Sequence, residues 1–355
     1  MALEVAIIAD DITGALDSAA PFATRGMKVA AAPDIDACDA SAIADCEVFA
    51  INTETRALAS EGAQREVRRA WKKLAAFEPR LVFKKIDSRL KGNVGDEVRA
   101  LMTASGRAHA IIAPAIPDMG RFVIAGAVAG FGIDAPLPIG KHIALDRAVT
   151  APDCSDAQAL DNVAKGLLHN ARTHLGVGAA GLAASIAGLP RPASPLPTES
   201  AHRGPLLILA GSRDPITLEQ LARLEHSDLR PSAFVVGAAE IDPQAMTGAR
   251  VIILRAPPET VASQSDIARA LARAALRLIE QSRVETILAT GGDTASALVR
   301  EAGIRTLCVD GAFALGVPTA KIAINARPMR LITKSGGFGG PHMLVDIARR
   351  YAAPL

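Results

Sequence analysis

At 355 residues, with 50% apolar and 21% charged side chains and a net charge of +2, the chain exceeds one typical core, is too apolar for disorder, and carries no field that would draw nucleic acid or a membrane surface. Its longest apolar stretches, 123–133 and 177–189, are Gly-rich and too short to span a bilayer, and Met1–Glu4 lead straight into a strand pattern with no leader-like segment, so a cytoplasmic protein is expected. Cys38, Cys46, Cys154 and Cys308 have neither CxxC spacing nor His partners at metal-site intervals and read as scattered reduced thiols.

Val5–Ala9 reads as a short buried strand ending at Asp10-Asp11, with a helix opening at Thr13-Gly14-Ala15 and running to about Arg25. At the carboxyl end of a strand in a doubly wound domain, one acid can cap the following helix; two adjacent acids point different ways, and one is expected to face the crevice. Val48–Ile51 is the next strand and delivers Asn52 to Arg56, where a planar guanidinium suits a carboxylate. The run from Glu61 to Phe77 is a basic amphipathic helix whose charges read as a solvated face. Leu81–Phe83 then leads into Lys84-Lys85-Ile86-Asp87-Ser88-Arg89-Leu90-Lys91-Gly92-Asn93, the densest polar cluster of the sequence, suited to holding an anionic substrate and positioning a proton acceptor. Helix follows over Asp96–Met102, strand over Ala110–Ala113, then a proline-stiffened loop ending at Arg121, a second candidate for an acid group. Residues 131–140 carry no regular pattern. Leu160–His174 reads as helix, and Val177 to Leu182 as strand, glycine turn and helix start.

The Pro/Ser-rich stretch 189–204 is the expected linker, separating domains at 1–188 and 205–355. Leu206–Ala210 restarts the strand pattern and is followed by the turn Gly211-Ser212-Arg213-Asp214-Pro215 and a helix over Ile216–Leu224. Phe234–Val236 and Val251–Leu254 read as strands and Ser265–Gln281 as a long helix. The period changes abruptly at Gly291-Gly292-Asp293, between the strand Ile287–Ala289 and the helix beginning at Thr294. Such a turn points free backbone N–H groups and the positive end of a helix dipole outward, which suits a phosphate. A second glycine turn, Lys334 to Gly340, lies between Leu331–Thr333 and the helical pattern Met343–Arg350, and its lysine is a candidate to neutralise phosphate charge. The fold class expected is α/β: two domains, each a mostly parallel sheet flanked by helices, with the active site in the cleft between them.

Ala9 to Ala15, Lys84 to Ser88 with Gly92-Asn93, Pro114 to Arg121, Gly178 to Leu182, Ala289 to Thr294 and Lys334 to Gly339 together resemble the four-carbon acid sugar kinase family, nearly end to end. The resemblance implies an ATP- and Mg²⁺-dependent kinase acting on the terminal hydroxyl of threonate, erythronate, a 3-oxo-tetronate or a related branched acid such as 3-oxo-isoapionate. It implies a sugar-acid site at Asp10, Asp11, Arg56, Lys85, Asp87, Ser88 and Arg121, and a nucleotide site at Ser212, Gly291, Gly292, Asp293, Thr294, Gly336 and Gly337. Asp11, Asp87 and Lys85 stand at the chemistry, with Asp11 or Asp87 as the base; the metal's holders are not legible. The expected partners are the sugar acid and ATP, with no nucleic acid and no membrane, and a homodimer is left open.

Four departures touch the acceptor side. Arg89 stands where the family commonly has Thr, Lys91 where it has Arg, and Asn52 where an acid is usual, and the region 131–156 is short. An NAD-dependent sugar-acid dehydrogenase would share the α/β halves but needs a GxGxxG after a strand with an acid about 20 residues on, and no turn has that spacing. A non-catalytic two-lobed sugar-acid-binding protein would leave the phosphate-type turns without a purpose.

Overall fold

Short runs of β-branched and small apolar residues form the strands, and those at Val5–Ala9, Val29–Ala32, Val48–Asn52, Leu81–Lys85, Leu206–Ala210 and Thr286–Thr290 are buried along their whole length, as parallel strands covered by helices on both faces must be. The computed structural model describes residues 2–189, 204–236, 248–257 and 262–352. The chain divides into two compact units, Met1–Pro195 with Arg305–Gly311 and Leu196–Ile304 with Ala312–Leu355. Of the expected linker, residues 190–203 lie outside the described residues. The sequence places 305–311 in the second domain, whereas this segment groups with the first unit, where Leu307–Val309 pair antiparallel with Ala31–Val29. Among the described residues no helix is long and apolar enough to cross a membrane.

The first unit runs β1 (Val5–Ala9), α1 (Ile12–Ala23), β2 (Val29–Ala32), α2 (Ala40–Ala44), β3 (Val48–Asn52), α3 (Ser60–Ala75), β4 (Leu81–Lys85), α4 (Val94–Ser105), β5 (His109–Ala113), β6 (Arg121–Ile124), β7 (Ala127–Gly130), β8 (Leu137–Pro138), β9 (Val149–Thr150), α5 (Ala157–His169), β10 (His174–Gly178) and α6 (Ala180–Gly188). Its main sheet has the order β2-β3-β1-β4-β10-β5-β9, parallel throughout, and β6, β7 and β8 make a separate antiparallel sheet. From β1 the chain moves toward β2 and β3, then crosses to β4, so the winding reverses between β1 and β4. The helix after β1 packs with α6 and the helix after β4 packs with α3, which leaves a crevice at the carboxyl ends of these two strands. Asp10-Asp11 and the polar loop 86–93 emerge there.

In the second unit β11 (Leu206–Ala210), α7 (Pro215–Glu225), β12 (Ser232–Val235), β13 (Val251–Arg255), α8 (Gln264–Glu280), β14 (Thr286–Thr290) and α9 (Gly292–Glu301) are followed by β15 (Leu307–Ala314), which groups with the first unit up to Gly311, and then by β16 (Val317–Ile324), β17 (Arg327–Lys334) and α10 (Met343–Tyr351). The order β12-β13-β11-β14-β17-β16 is parallel except for the β16/β17 hairpin. That hairpin turns at Asn325-Ala326, both with positive φ, as a two-residue turn between twisted strands requires. The winding reverses between β11 and β14; α7 packs with α10 and α9 with α8, so a second crevice opens at the ends of β11 and β14.

Two sequence expectations change. The helix expected over Leu160–His174 stops at His169, where Asn170 takes the C-cap and Thr173 Oγ1 donates to the Asn170 carbonyl, and His174 already belongs to β10. The loop expected through Arg121 ends one residue earlier, at Gly120 with its left-handed φ of 71°, and Arg121 opens β6.

Candidate active site

In the first unit the acids and cations of three strand ends meet. Arg56, beyond β3, donates from Nε and Nη2 to the two Asp10 oxygens at 2.8 and 3.0 Å and from Nη1 to Asp11 Oδ2 at 2.8 Å, with Asp87 Oδ2 at 3.8 Å. Burial opposes the Arg56 charge, and Asp11 and Asp10 more than offset it, so the guanidinium is held above its ordinary value. Burial likewise works against the Asp10 carboxylate; Arg56, Lys84 and Lys85 outweigh it and hold the carboxyl below its ordinary value. Arg56 therefore does not stand as an open fork for a ligand. It orients acids.

Asp11 is the N-cap of α1: Oδ1 accepts from the Gly14 N–H at 2.8 Å, and Oδ2 accepts from Thr13 Oγ1 at 2.9 Å as well as from Arg56. Asp87 differs. Its Oδ1 accepts from the Arg89 N–H at 2.8 Å, while among the described residues its Oδ2 has only the 3.8 Å approach to Arg56. Lys85 extends toward Gly14 at the start of α1 and donates to the Ile86 carbonyl at 3.0 Å. Arg121 is enclosed, giving Nη2 and Nε to the Phe131 carbonyl at 2.8 and 3.2 Å and Nη1 to Ser88 Oγ. Burial and the charge of Arg89 hold its guanidinium below the ordinary value.

The second unit collects its glycine turns at the ends of adjacent strands. Gly291 takes φ 89°, ψ 147° as N-cap of α9, a conformation side chains rarely adopt, and its N–H donates to the Lys334 carbonyl at 2.8 Å, tying the end of β14 to that of β17. Thr290 Oγ1 donates to the Leu209 carbonyl at 3.1 Å and locks β14 to β11. Gly292, Asp293 and Thr294 form the first turn of α9, whose N–H groups lack intrahelical acceptors. A Cβ built on Gly336 would lie 2.5 Å from Ser212 Oγ and 3.0 Å from Asp214 Cβ, so Ser212, Gly291 and Gly336 border one space. Closeness, not a positive φ, explains glycine at 336; the left-handed residue of that loop is Gly339. Gly337 follows in the same turn.

Sequence reasoning missed what holds this loop. Lys334 is fully buried, and its Nζ donates to Thr217 Oγ1 and to the carbonyls of Ser335 and Gly336 at 3.1–3.2 Å. Its charge lies under the loop, where burial lowers the ammonium pKa to about 8. From α7, Thr217 Oγ1 reaches the Gly336 carbonyl, and buried Gln220 donates to the carbonyls of Phe338, Gly339 and Gly340 at 2.9–3.2 Å. The signal was present: Thr217 and Gln220 are polar residues on the stripe that buries Leu221 and Leu224. The Lys84–Glu97 pair, 2.7 Å apart and wholly buried, was also missed; it neutralises one lysine of the polar cluster inside the first unit.

Fold and geometry thus define a two-unit α/β protein with a carboxylate–cation crevice in one unit and a glycine-lined, phosphate-type crevice in the other. Residues 5–135 match a family model described as a sugar-binding N-terminal domain and residues 207–344 one described as a nucleotide-binding C-terminal domain. The chain belongs to the four-carbon acid sugar kinase family. It is 25% identical to a D-threonate kinase of Bordetella bronchiseptica over 97% of this chain and 96% of that protein, and 28% identical to a 3-oxo-tetronate kinase of Cupriavidus necator over 97% and 96%. A D-erythronate kinase of Heliobacterium modesticaldum is 35% identical over 34% of this chain and 28% of that protein. Among solved structures, a Salmonella typhimurium protein shares the fold at TM-score 0.76 and 20% identity, covering 98% of this chain and 99% of its own.

Proposed function

We propose that the chain transfers the γ-phosphoryl group of ATP to the terminal hydroxyl of a small sugar acid, of four carbons or similar and branched, with threonate, erythronate, 3-oxo-tetronate and 3-oxo-isoapionate as the acceptor class. The observation that carries this reading is the presence in one chain of both switch-point sites, acids and cations at 10–11, 56 and 85–88 and phosphate-type turns at 291–294 and 335–340. The matched relatives, named as kinases of such acids over nearly their whole length, support it.

Phosphoryl transfer asks for alignment and for cancellation of charge on the γ-phosphate. The N–H groups of Gly292, Asp293 and Thr294, with Ser212 and Gly336-Gly337, are the proposed phosphate cradle, and Lys334 adds positive charge beneath it. Mg²⁺ bound with ATP would supply further charge cancellation; such an ion needs one or two protein carboxylates beside the phosphates, and the exposed Asp293 on the first turn of α9 fits. On the acceptor side Asp87 is the proposed base. Its Oδ2 is unclaimed by a hydrogen bond among the described residues, whereas both oxygens of Asp10 and of Asp11 are engaged. Arg56 holds the three carboxylates apart, and Lys85 supplies positive charge beside them. ADP release with Mg-ATP across the four acids and the matching neutral polyols tests the reading: the acids are turned over and the polyols are not. No ADP release with any of the acids rejects it.

A further inference from the structure

Two guanidiniums share one corner of the first unit, and among the described residues no acid forms an ion pair with either. Arg121 is 1% exposed, and its hydrogen bonds go to a carbonyl and a hydroxyl, both neutral. Arg89 is half-buried; its backbone N–H is fixed by Asp87 Oδ1, and its side chain makes no hydrogen bond or ion pair among the described residues. The two forks meet at Gly132, where a Cβ would fall 2.8 Å from Arg89 Nη2 and 3.3 Å from Arg121 Nη2. Gly132 also has a φ of +69°, and with no side chain it lets both guanidiniums approach the backbone there. Like charges brought together away from bulk water repel, and burial with the neighbouring Arg89 charge depresses the Arg121 guanidinium accordingly. An anion bridging the forks removes that repulsion and accepts in-plane hydrogen bonds from both.

Resting on the kinase reading above, we propose that Arg89 and Arg121 form the clamp for the acceptor's carboxylate, with Arg121 the fixed fork and Arg89 a specificity-determining residue. Arg56, already spent on Asp10 and Asp11, is not part of this clamp. Arg89 and Ser88 follow Asp87 directly in the chain, so only a short carbon skeleton separates a clamped carboxylate from a hydroxyl at Asp87 Oδ2. That selects acids of about the size named by the relatives and rejects the corresponding polyols.

The test compares wild type, Arg89→Gln and Arg89→Lys in steady-state kinetics with Mg-ATP and D-threonate or D-erythronate. Arg89→Gln raises the acceptor KM on the order of 10- to 100-fold, the scale of a charge-assisted hydrogen bond, leaves the ATP KM unchanged, and Arg89→Lys recovers part of the loss because it keeps charge without the fork. An acceptor KM within twofold of wild type in a folded Arg89→Gln overturns the proposal. Thermal melting without nucleotide reads the same site independently of turnover: D-threonate or sulfate raises the wild-type midpoint and does so less in Arg89→Gln. A wild type whose melting responds to neither anion has no clamp. A wild type that responds to D-threonate but releases no ADP with any of the four acids refutes the kinase reading and leaves the clamp standing.

Discussion

Three carboxylates surround Arg56, and what each oxygen accepts separates their roles. Asp11 holds the first turn of α1 and one arm of Arg56, so both its oxygens are occupied; Asp87 keeps Oδ2 available. Asp87→Asn is therefore expected to lower kcat by roughly 10²- to 10⁴-fold, the span of a lost general base, with the ATP KM unchanged. Asp11→Asn keeps an oxygen for the cap and costs about 1 kcal/mol of stability or less, with kcat falling under tenfold. The kinetics of the two variants measured side by side decide, and a larger kcat loss in Asp11→Asn exchanges the roles. Asp10 carries a different prediction. Because its folded pKa lies below the ordinary 3.8, the stability it contributes is present above that value and is lost as pH falls through the lower, folded value. Urea midpoints at pH 6 and pH 3 are expected to differ less in Asp10→Asn than in wild type; an equal difference removes Asp10 from the acid limb. The sequence showed these acids and Arg56 at strand ends, but adjacency in a crevice does not say which charge is spent on which, and Arg56 was read as open to a ligand for that reason.

At the scale of elements, the glycine turns were legible because a buried parallel strand gives way to a helix through residues that must present backbone rather than side chain. The same reasoning did not show how Lys334 is anchored. A lysine before a glycine turn looks aimed at phosphate, yet its side chain folds beneath the loop onto carbonyls of residues 335 and 336. Its burial gives a measurable sign. The folded pKa of about 8 lies below the unfolded 10.5, so the unfolded chain binds more protons between these values and stability rises with pH across that window, by about 3 kcal/mol at most. Denaturant unfolding at pH 7.5 and pH 10 is expected to show this rise in wild type and to lack it in Lys334→Met, other titrations being common to both. Gln220→Leu removes the donor shared by three loop carbonyls, and the expected result is weaker nucleotide binding with the acceptor KM unchanged. The antiparallel strands β15 and β16 and the small sheet β6–β8 were not legible. Their half-exposed residues break the continuous apolar runs that marked most of the parallel strands, and short edge strands depend on partners distant in sequence; the short parallel strands β2 and β9 were missed as well.

For the whole chain, two α/β halves followed from length and from the repeated alternation of strand and helix, and both switch points fall where the richest polar motifs were found. What sequence order could not show is that 305–311 belongs with the first unit, since antiparallel pairing to β2 joins Leu307 to Ala31 and Val309 to Val29, residues far apart in the chain. The division predicts that the two ligands can be lost one at a time. Gly336→Val sets a branched side chain against Ser212 and Asp214, so ATP binding measured by calorimetry should fall about 10- to 100-fold, the scale of a lost charge-assisted hydrogen bond to phosphate, while the rise in melting midpoint with D-threonate persists. Asp87→Asn, with its charge removed from the other unit, should keep ATP affinity within about twofold and lose turnover. Each variant must first show wild-type far-ultraviolet circular dichroism. If Gly336→Val binds ATP normally, or Asp87→Asn fails to bind it, then the donor has been assigned to the wrong unit, because neither outcome is compatible with a phosphate held by the turns at 291–294 and 335–340.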